Sequence, residues 1–296
     1  MRDLVSKFGA PPTAGFDRAK SVSPKFDSRE IFGIISGDRS RPYDMYEVLA
    51  RLVDNSVLDE YKASYGKSVI CAYARVDGWA VGIVANQRTT VKSKHPDNSS
   101  EMQIGGVIYS DSADKAARFI MNCNQKRIPL VFFQDVAGFM VGTRAERGGI
   151  IKDGAKMVNA VSNSTVPKLT FILGNSFGAG NYAMCGKAYD PRLIFALPSA
   201  RIAVMGGDQA SQTLLSIRLQ QMERDGKKIT KDEQAGLLAE IRKRYDTEMD
   251  PAYAASRLWV DEIIDPARIR EMISLGIDVA NNNPVLEHFN VGVIQT

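Results

Sequence analysis

The sequence predicts an α/β protein on three observations: short apolar strands alternate with amphipathic helices, glycines sit at the turns between them, and the composition can fill a core. Of its 296 residues, 44% are hydrophobic and 24% charged, the balance of a soluble globular chain and not of a disordered or fibrous one. Strands separated by helices in this way form parallel βαβ units covered on both faces. At roughly 150 residues per domain the length allows two domains or one large α/β unit.

Residues 1–30 carry Gly9, Pro11, Pro12, Gly15, Ser21, Ser23 and Pro24 without apolar periodicity. They read as an extended lead-in segment or linker, which leaves 31–296 as the domain. Pro42 to Leu58 sets Met45, Val48, Leu49, Leu52 and Val53 at helical spacing, a helix ending near Asn55. Ser68 to Val76 and Trp79 to Ala85, joined by Asp77-Gly78, have the form of a hairpin with a two-residue turn. The polar stretch 87–103 reads as a loop. Ser112 to Gln125 is a helix with Ala116, Phe119, Ile120 and Cys123 inward, and Leu130 to Gln134 a strand. A helix over Gly149 to Ser162, a strand over Lys168 to Leu173, a helix over Asn181 to Lys187, a strand over Leu193 to Leu197 and a helix over Gln209 to Arg218 complete the alternation. Between Leu219 and Asp246 the charges alternate in sign around the apolar anchors Leu237, Leu238 and Ile241. That stretch reads as two helices of an excursion with a solvated face.

Lys+Arg 38 against Asp+Glu 34 gives a formal charge of +4, too slight to predict a nucleic-acid partner. No stretch approaches the roughly 18 apolar residues of a bilayer span; the greasiest, Leu130 to Gly142, is interrupted by Gln134 and Asp135. The N-terminus, with Arg2, Asp3 and Lys7, lacks the apolar heart of a secretory signal, so a cytoplasmic location is expected. Cys71, Cys123 and Cys185 are odd in number and far apart, and read as reduced, buried thiols. His95 and His288 stand in unrelated contexts without HxxxH spacing, so no metal is expected.

Three glycine-rich turns follow strands: Val136 to Gly142, Gly174 to Gly180, and Met205-Gly206-Gly207. The second leads into a helix, where unpaired backbone N–H groups can receive an anion; glycine and alanine let it come close. A tight strand-to-helix crossing built of small residues is the plain alternative. A phosphate cradle would need GxxxxGK[ST] or GxGxxG, and neither spacing is present. Gly174-Asn175-Ser176-Phe177-Gly178 satisfies G-x-S-x-G, which keeps a serine hydrolase or thioesterase in view, with Ser176 as nucleophile and His288 as a possible base. The remaining reading is an oxyanion site in which the amides of Ala179 and Gly180 hold a charged oxygen, each donor worth about 3 to 4 kcal/mol of transition-state stabilisation.

Four ordered segments carry a resemblance: Phe133 to Gly142 (FQDVAGFMVG), Gly148 to Met157 (GGIIKDGAKM), Ser176 to Tyr189 (SFGAGNYAMCGKAY) and Arg201 to Gly207 (RIAVMGG). From about residue 27 onward the chain resembles the C-terminal half of the biotin-dependent acyl-CoA carboxyltransferases. The run from Ser176 to Tyr189 is similar to 3-methylcrotonyl-CoA carboxylase β subunits. The loop ending Ile104-Gly105-Gly106 and the charged excursion are similar to glutaconyl-CoA decarboxylase α subunits.

The resemblance implies a ClpP/crotonase-type spiral of ββα units with helical excursions. It implies an active site shared between this half and an N-terminal half, or second subunit, that binds the acyl-CoA, and hence a homo- or hetero-oligomer. Carried over by position, the oxyanion pocket for the ureido oxygen of biotin falls on Ala179 and Gly180. By the same carry-over Gly138, Phe139, Met140, Gly178 and Asn181 are expected around biotin and the acyl chain, with core packing the plain alternative for Phe139 and Met140. Ala155-Lys156-Met157 is not the Met-Lys-Met of biotin attachment, so biotin is expected on a separate carrier protein. A membrane enters only through a decarboxylase partner. Fixed amide dipoles suit this chemistry, in which negative charge grows on two carbonyl oxygens, and no metal is required of it.

Overall fold

The computed structural model of the chain describes residues 2–8, 12–38, 41–94, 100–225 and 230–294. Short helices α1 (Arg2–Val5) and α2 (Ile31–Ile34) stand on either side of a largely extended segment. That segment is no free linker: Ala19 N donates to Gly78 O and Ala14 N to Asn281 O, and Phe16 is buried in the main core. The predicted helix after Pro42 is shorter than its periodicity suggested. Asp44 caps α3 (Met45–Ala50), and the chain then turns through Asn55 in a left-handed conformation.

The two strands β2 (Val69–Val76) and β3 (Trp79–Asn86) form the expected hairpin, with Asp77 and Gly78 both at positive φ, as a turn matched to strand twist requires. The stretch read as a loop contains a second hairpin, β4 (Val91–Lys94) with β5 (Ser100–Gln103). Its hidden side is polar: Ser93 Oγ and Gln103 Nε2 both donate to the Asp111 carboxylate. Alternating hydrophobicity therefore gave no signal there. His95 lies outside the described residues.

A short edge strand β1 (Asp59–Glu60) pairs with β2. After β6 (Val107–Ile108) come α4 (Ser110–Gln125), β7 (Leu130–Val136), β8 (Gly138–Phe139), α5 (Thr143–Arg147) and α6 (Ile150–Ser162). Next follow β9 (Lys168–Phe177), α7 (Gly178–Ala183), β10 (Leu193–Ala196), β11 (Arg201–Ala203), α8 (Gly207–Arg224) and α9 (Lys231–Glu248). The chain closes with α10 (Pro251–Ser256), β12 (Glu262–Ile263) and α11 (Ile269–Asn281). The main sheet runs β1-β2-β3-β7-β9-β10-β12, antiparallel across its first three strands and parallel from β3 onward, while β11 pairs the far end of β9.

Alternation along β7 supplies both cores. Val131 and Phe133 face α3 and α11, whereas Leu130 and Phe132 face α4 and α6. Phe171 stacks between Phe133 and Phe195 at centroid distances of 5.5 and 5.0 Å. Each such buried ring is worth about 1.5–3 kcal/mol by burial, and each stacked pair adds about 0.5–1.5 kcal/mol. The sheet is thus rigid where its C-terminal strand ends carry the glycine-rich segments.

The charged stretch after Leu219 holds the end of α8, which runs on past Arg218 to Arg224, and one further helix, α9, where two were expected. A capping box of Thr230 and Glu233 starts α9, whose Leu237, Leu238 and Ile241 are only half-buried. No helix among the described residues is long and apolar enough to cross a membrane.

A candidate active site at the start of α7

Strand β9 runs farther than expected. Gly174, Asn175 and Ser176 belong to the strand and not to a turn, and the helix starts at Gly178 instead of Asn181. The register between β7 and β9 slips between Gln134 and Val136, because β9 bulges over Leu173 to Asn175. The Asp135 carboxylate fills that bulge, accepting from Asn175 N at 2.9 Å, from Tyr43 Oη at 3.1 Å, and facing Arg88 Nε at 3.1 Å. A Cβ on Gly174 would come within 2.5 Å of that carboxylate. Burial, with the Asp135 charge beside it, holds the Tyr43 phenol well above its ordinary pKa.

The bulge sets the height at which β9 delivers α7. No side chain caps this helix, and helix geometry leaves the N–H groups of Gly178, Ala179 and Gly180 without an intrahelical acceptor. Gly180 is buried: a Cβ there would lie 2.6 Å from Val136 Cγ2 and 3.1 Å from Gly138 Cα. Two segments distant in sequence, Val136–Gly138 and Gly178–Gly180, therefore touch through their smallest residues.

Gly178, Ala179 and Asn181 line a cleft of about 730 Å³, in the range of ligand sites. Val158, Ile202 and Val204 give it apolar surface, and Tyr182 meets Tyr189 edge-on at 5.9 Å. Burial raises the Tyr189 phenol above its usual pKa. Tyr245, Met249, Tyr253 and Trp259, at the end of the excursion and in α10 and the turn after it, close the far wall. Sequence reading missed these four, since their apolar faces sit within or beside a charge-rich stretch. Among the described residues, no lysine, arginine or histidine lines the cleft, and its acidic residue, Glu248, is engaged by Arg244 at 2.9 Å.

Of the other expected residues, Phe139 lies on α6, its ring 2.9 Å from where a Cβ on Gly154 would stand. Met140 is half-buried and its amide donates to Ile108 O. Neither they nor Gly138 line this cleft; Gly138 backs Gly180. The Asn181 side chain turns inward, Nδ2 donating to Ser176 Oγ at 2.6 Å.

The hydrolase alternative fails on the same bonds. Ser176 is wholly buried beneath the cleft floor, within β9 and not on an exposed elbow, and its hydroxyl donates to Gln134 Oε1 at 2.5 Å. His288 is exposed and borders a separate cavity with Asn124 and Arg127. Among the described residues no three His, Cys, Asp or Glu gather to hold a metal. Lys156 is pinned on α6 by Asp114 and Asp153.

Residues 2–291 match the family model of the carboxyl transferase domain. The chain belongs to the carboxyl transferase domain family. It is 43% identical over its whole length to the β1 subunit of the biotin-dependent 3-methylcrotonyl-coenzyme A carboxylase of Mycobacterium tuberculosis, of which it covers 52%. It is 33% identical to the 12S subunit of the methylmalonyl-CoA carboxyltransferase of Propionibacterium freudenreichii, aligning 94% of this chain with 51% of that one. Among solved carboxyl transferases, the β subunit of P. aeruginosa geranyl-CoA carboxylase superposes over 100% of this chain and 52% of its own, with a TM-score of 0.77 and 33% identity. The chain thus spans about half the length of the relatives it matches, and its fold is the crotonase-like α/β fold of the carboxyl transferases.

Proposed function

We propose that this chain is the biotin-facing, C-terminal half of a carboxyl transfer site, moving a carboxyl group between biotin on a separate carrier and an acyl-CoA or enoyl-CoA thioester. One observation carries the reading. A cleft beside the uncapped start of α7 has no cationic side chain among the described residues, so an oxygen acquiring negative charge there is met by main-chain N–H groups. Preorganised amides in a site poor in water are effective for that purpose.

Biotin fits on the same grounds. The apolar walls at Val158, Ile202, Val204 and Trp259 suit its carbon skeleton, and a ureido carbonyl beside Gly178 and Ala179, which line the cleft, meets the amide of Ala179, with the buried Gly180 packed behind it on Val136 and Gly138. When bound, biotin supplies a nitrogen able to carry the carboxyl group. This chain holds the ureido oxygen, excludes water and fixes the approach direction. Gly138 supports Gly180 from behind, while Phe139 packs on α6 and Met140 is tied to Ile108, away from the cleft lining. The acyl-CoA and its thioester oxygen are assigned to a second half or subunit, consistent with an oligomer assembled in the cytoplasm.

The test mixes the chain with a polypeptide that completes the site, a carboxylated thioester and free biotin. The reading predicts biotin-dependent loss of the carboxyl group with 3-methylglutaconyl- or glutaconyl-CoA. Absence of transfer with every thioester, despite stable assembly, contradicts it.

A further inference from the structure

We infer that Ser176 is a positioning residue for carboxyl transfer, holding α7 at its working height over the sheet. The inference rests on the function proposed above and adds a residue whose buried hydroxyl is already engaged by Gln134 and Asn181.

Three buried or half-buried groups form one chain of hydrogen bonds. Asn181 Nδ2 donates to Ser176 Oγ at 2.6 Å, Ser176 Oγ donates to Gln134 Oε1 at 2.5 Å, and Gln134 Nε2 donates to Met184 O at 2.7 Å. The direction of each bond is fixed by chemistry. The Gln134 amide nitrogen only donates, so its oxygen takes the single serine proton, and the serine lone pair receives Asn181.

The chain starts and finishes on α7. Asn181 lies in the middle of this helix and Met184 caps its C-terminus, while Ser176 sits on β9 and Gln134 on β7. A six-residue helix has little intrinsic stability; here its middle and its C-terminal cap are referred to two central strands. Gln134 also stands at the register slip that lets the Asp135 carboxylate enter the sheet. Ser176 and Gln134 are wholly buried, so no water replaces a lost partner, and the helix must shift to satisfy one. Misplacement by about 1 Å at a reacting centre costs on the order of 100-fold in rate.

The experiment compares wild type, Ser176→Ala, Asn181→Ala and the double variant, each with the polypeptide that completes the site, in biotin-dependent decarboxylation of a carboxylated thioester. Melting curves first establish that each variant folds. The expected result is a 10- to 100-fold fall in kcat for Ser176→Ala, with KM for the thioester within twofold of wild type. The double variant should be no slower than the slower single one, and amide hydrogen exchange over residues 178–184 should quicken while β7 stays protected. Should Ser176→Ala fail to fold, Asn181→Ala cuts the same link from its half-exposed end and is expected to give the same split between kcat and KM. Active wild type matched by folded variants with unchanged kcat and unchanged exchange overturns the positioning role alone. Inactive wild type overturns the function on which it rests.

Discussion

The main-chain oxygen of Val204 lies 2.7 Å from the point a Cβ on Gly178 would occupy, and Gly178 itself holds φ at +48°. Both facts exclude a side chain at the residue that opens α7. A left-handed conformation costs an L-residue about 1–2 kcal/mol, and the clash falls on the Val204 main chain just past the end of β11. Gly178→Ala is therefore expected to lower Tm by several degrees and to cut biotin-dependent transfer at least tenfold, because the Val204 carbonyl and α7 must separate. Calorimetry and steady-state kinetics on the same sample check this.

Asp135 anchors the bulge of β9 with its charge 7% exposed, opposite Arg88 at 13%. Removing one partner of a buried ion pair leaves the other unpaired in a poorly polarisable medium, at a cost of about 3–5 kcal/mol. Asp135→Asn is expected to lower unfolding stability by that order in denaturant titration. Combining Asp135→Leu with Arg88→Met should recover part of the loss, and only part, since Asn175 N still lacks its acceptor.

The three cysteines are buried and free. Burial pushes the Cys71 thiol up to about 12 and the Cys185 thiol up to about 11, from an ordinary 9.0, and raises Cys123 as well. Thiolate is the reactive form, so iodoacetamide at pH 8 is expected to modify none of them in the native protein and all three in denaturant. The unfolded chain releases these protons first. The stability they contribute is therefore complete below about pH 9 and is lost as pH rises toward 11 to 12, where the folded thiols ionise. Unfolding free energy measured from pH 8 to 11 should fall across that window, with a smaller slope in Cys71→Ala.

How much of this was legible in the sequence depended on whether a segment's partners were apolar. Leu130 to Phe133 announced a strand with two buried faces, and Asp77-Gly78 announced its hairpin, since hydrophobic alternation and turn chemistry are local signals. The β4–β5 hairpin stayed hidden because Ser93 and Gln103 face a carboxylate instead of a core. Gly174 looked like a turn; it is a strand residue made small to admit the Asp135 carboxylate, a contact between residues 39 positions apart in the chain. Ser176 matched a nucleophile pattern for a similar reason: a five-residue pattern does not reveal that Gln134 already holds the hydroxyl. The small residues Ala179 and Gly180 stood out as a candidate from their place between strand and helix, and Ala179 lines the cleft, whereas the wall at Tyr245, Met249, Tyr253 and Trp259 needed the fold to bring the excursion back.

Ala179→Pro tests the central claim most directly. Ala179 is exposed and belongs to the first turn of α7, where proline deletes an N–H that no intrahelical bond uses and the helix tolerates the ring. The measurement is kcat for biotin-dependent carboxyl transfer by the assembled protein, with Tm read in parallel. If the amide of residue 179 steadies the charged oxygen, kcat falls by about 100- to 1,000-fold while Tm moves by only a few degrees. Undiminished transfer by a stably folded Ala179→Pro protein would contradict the account.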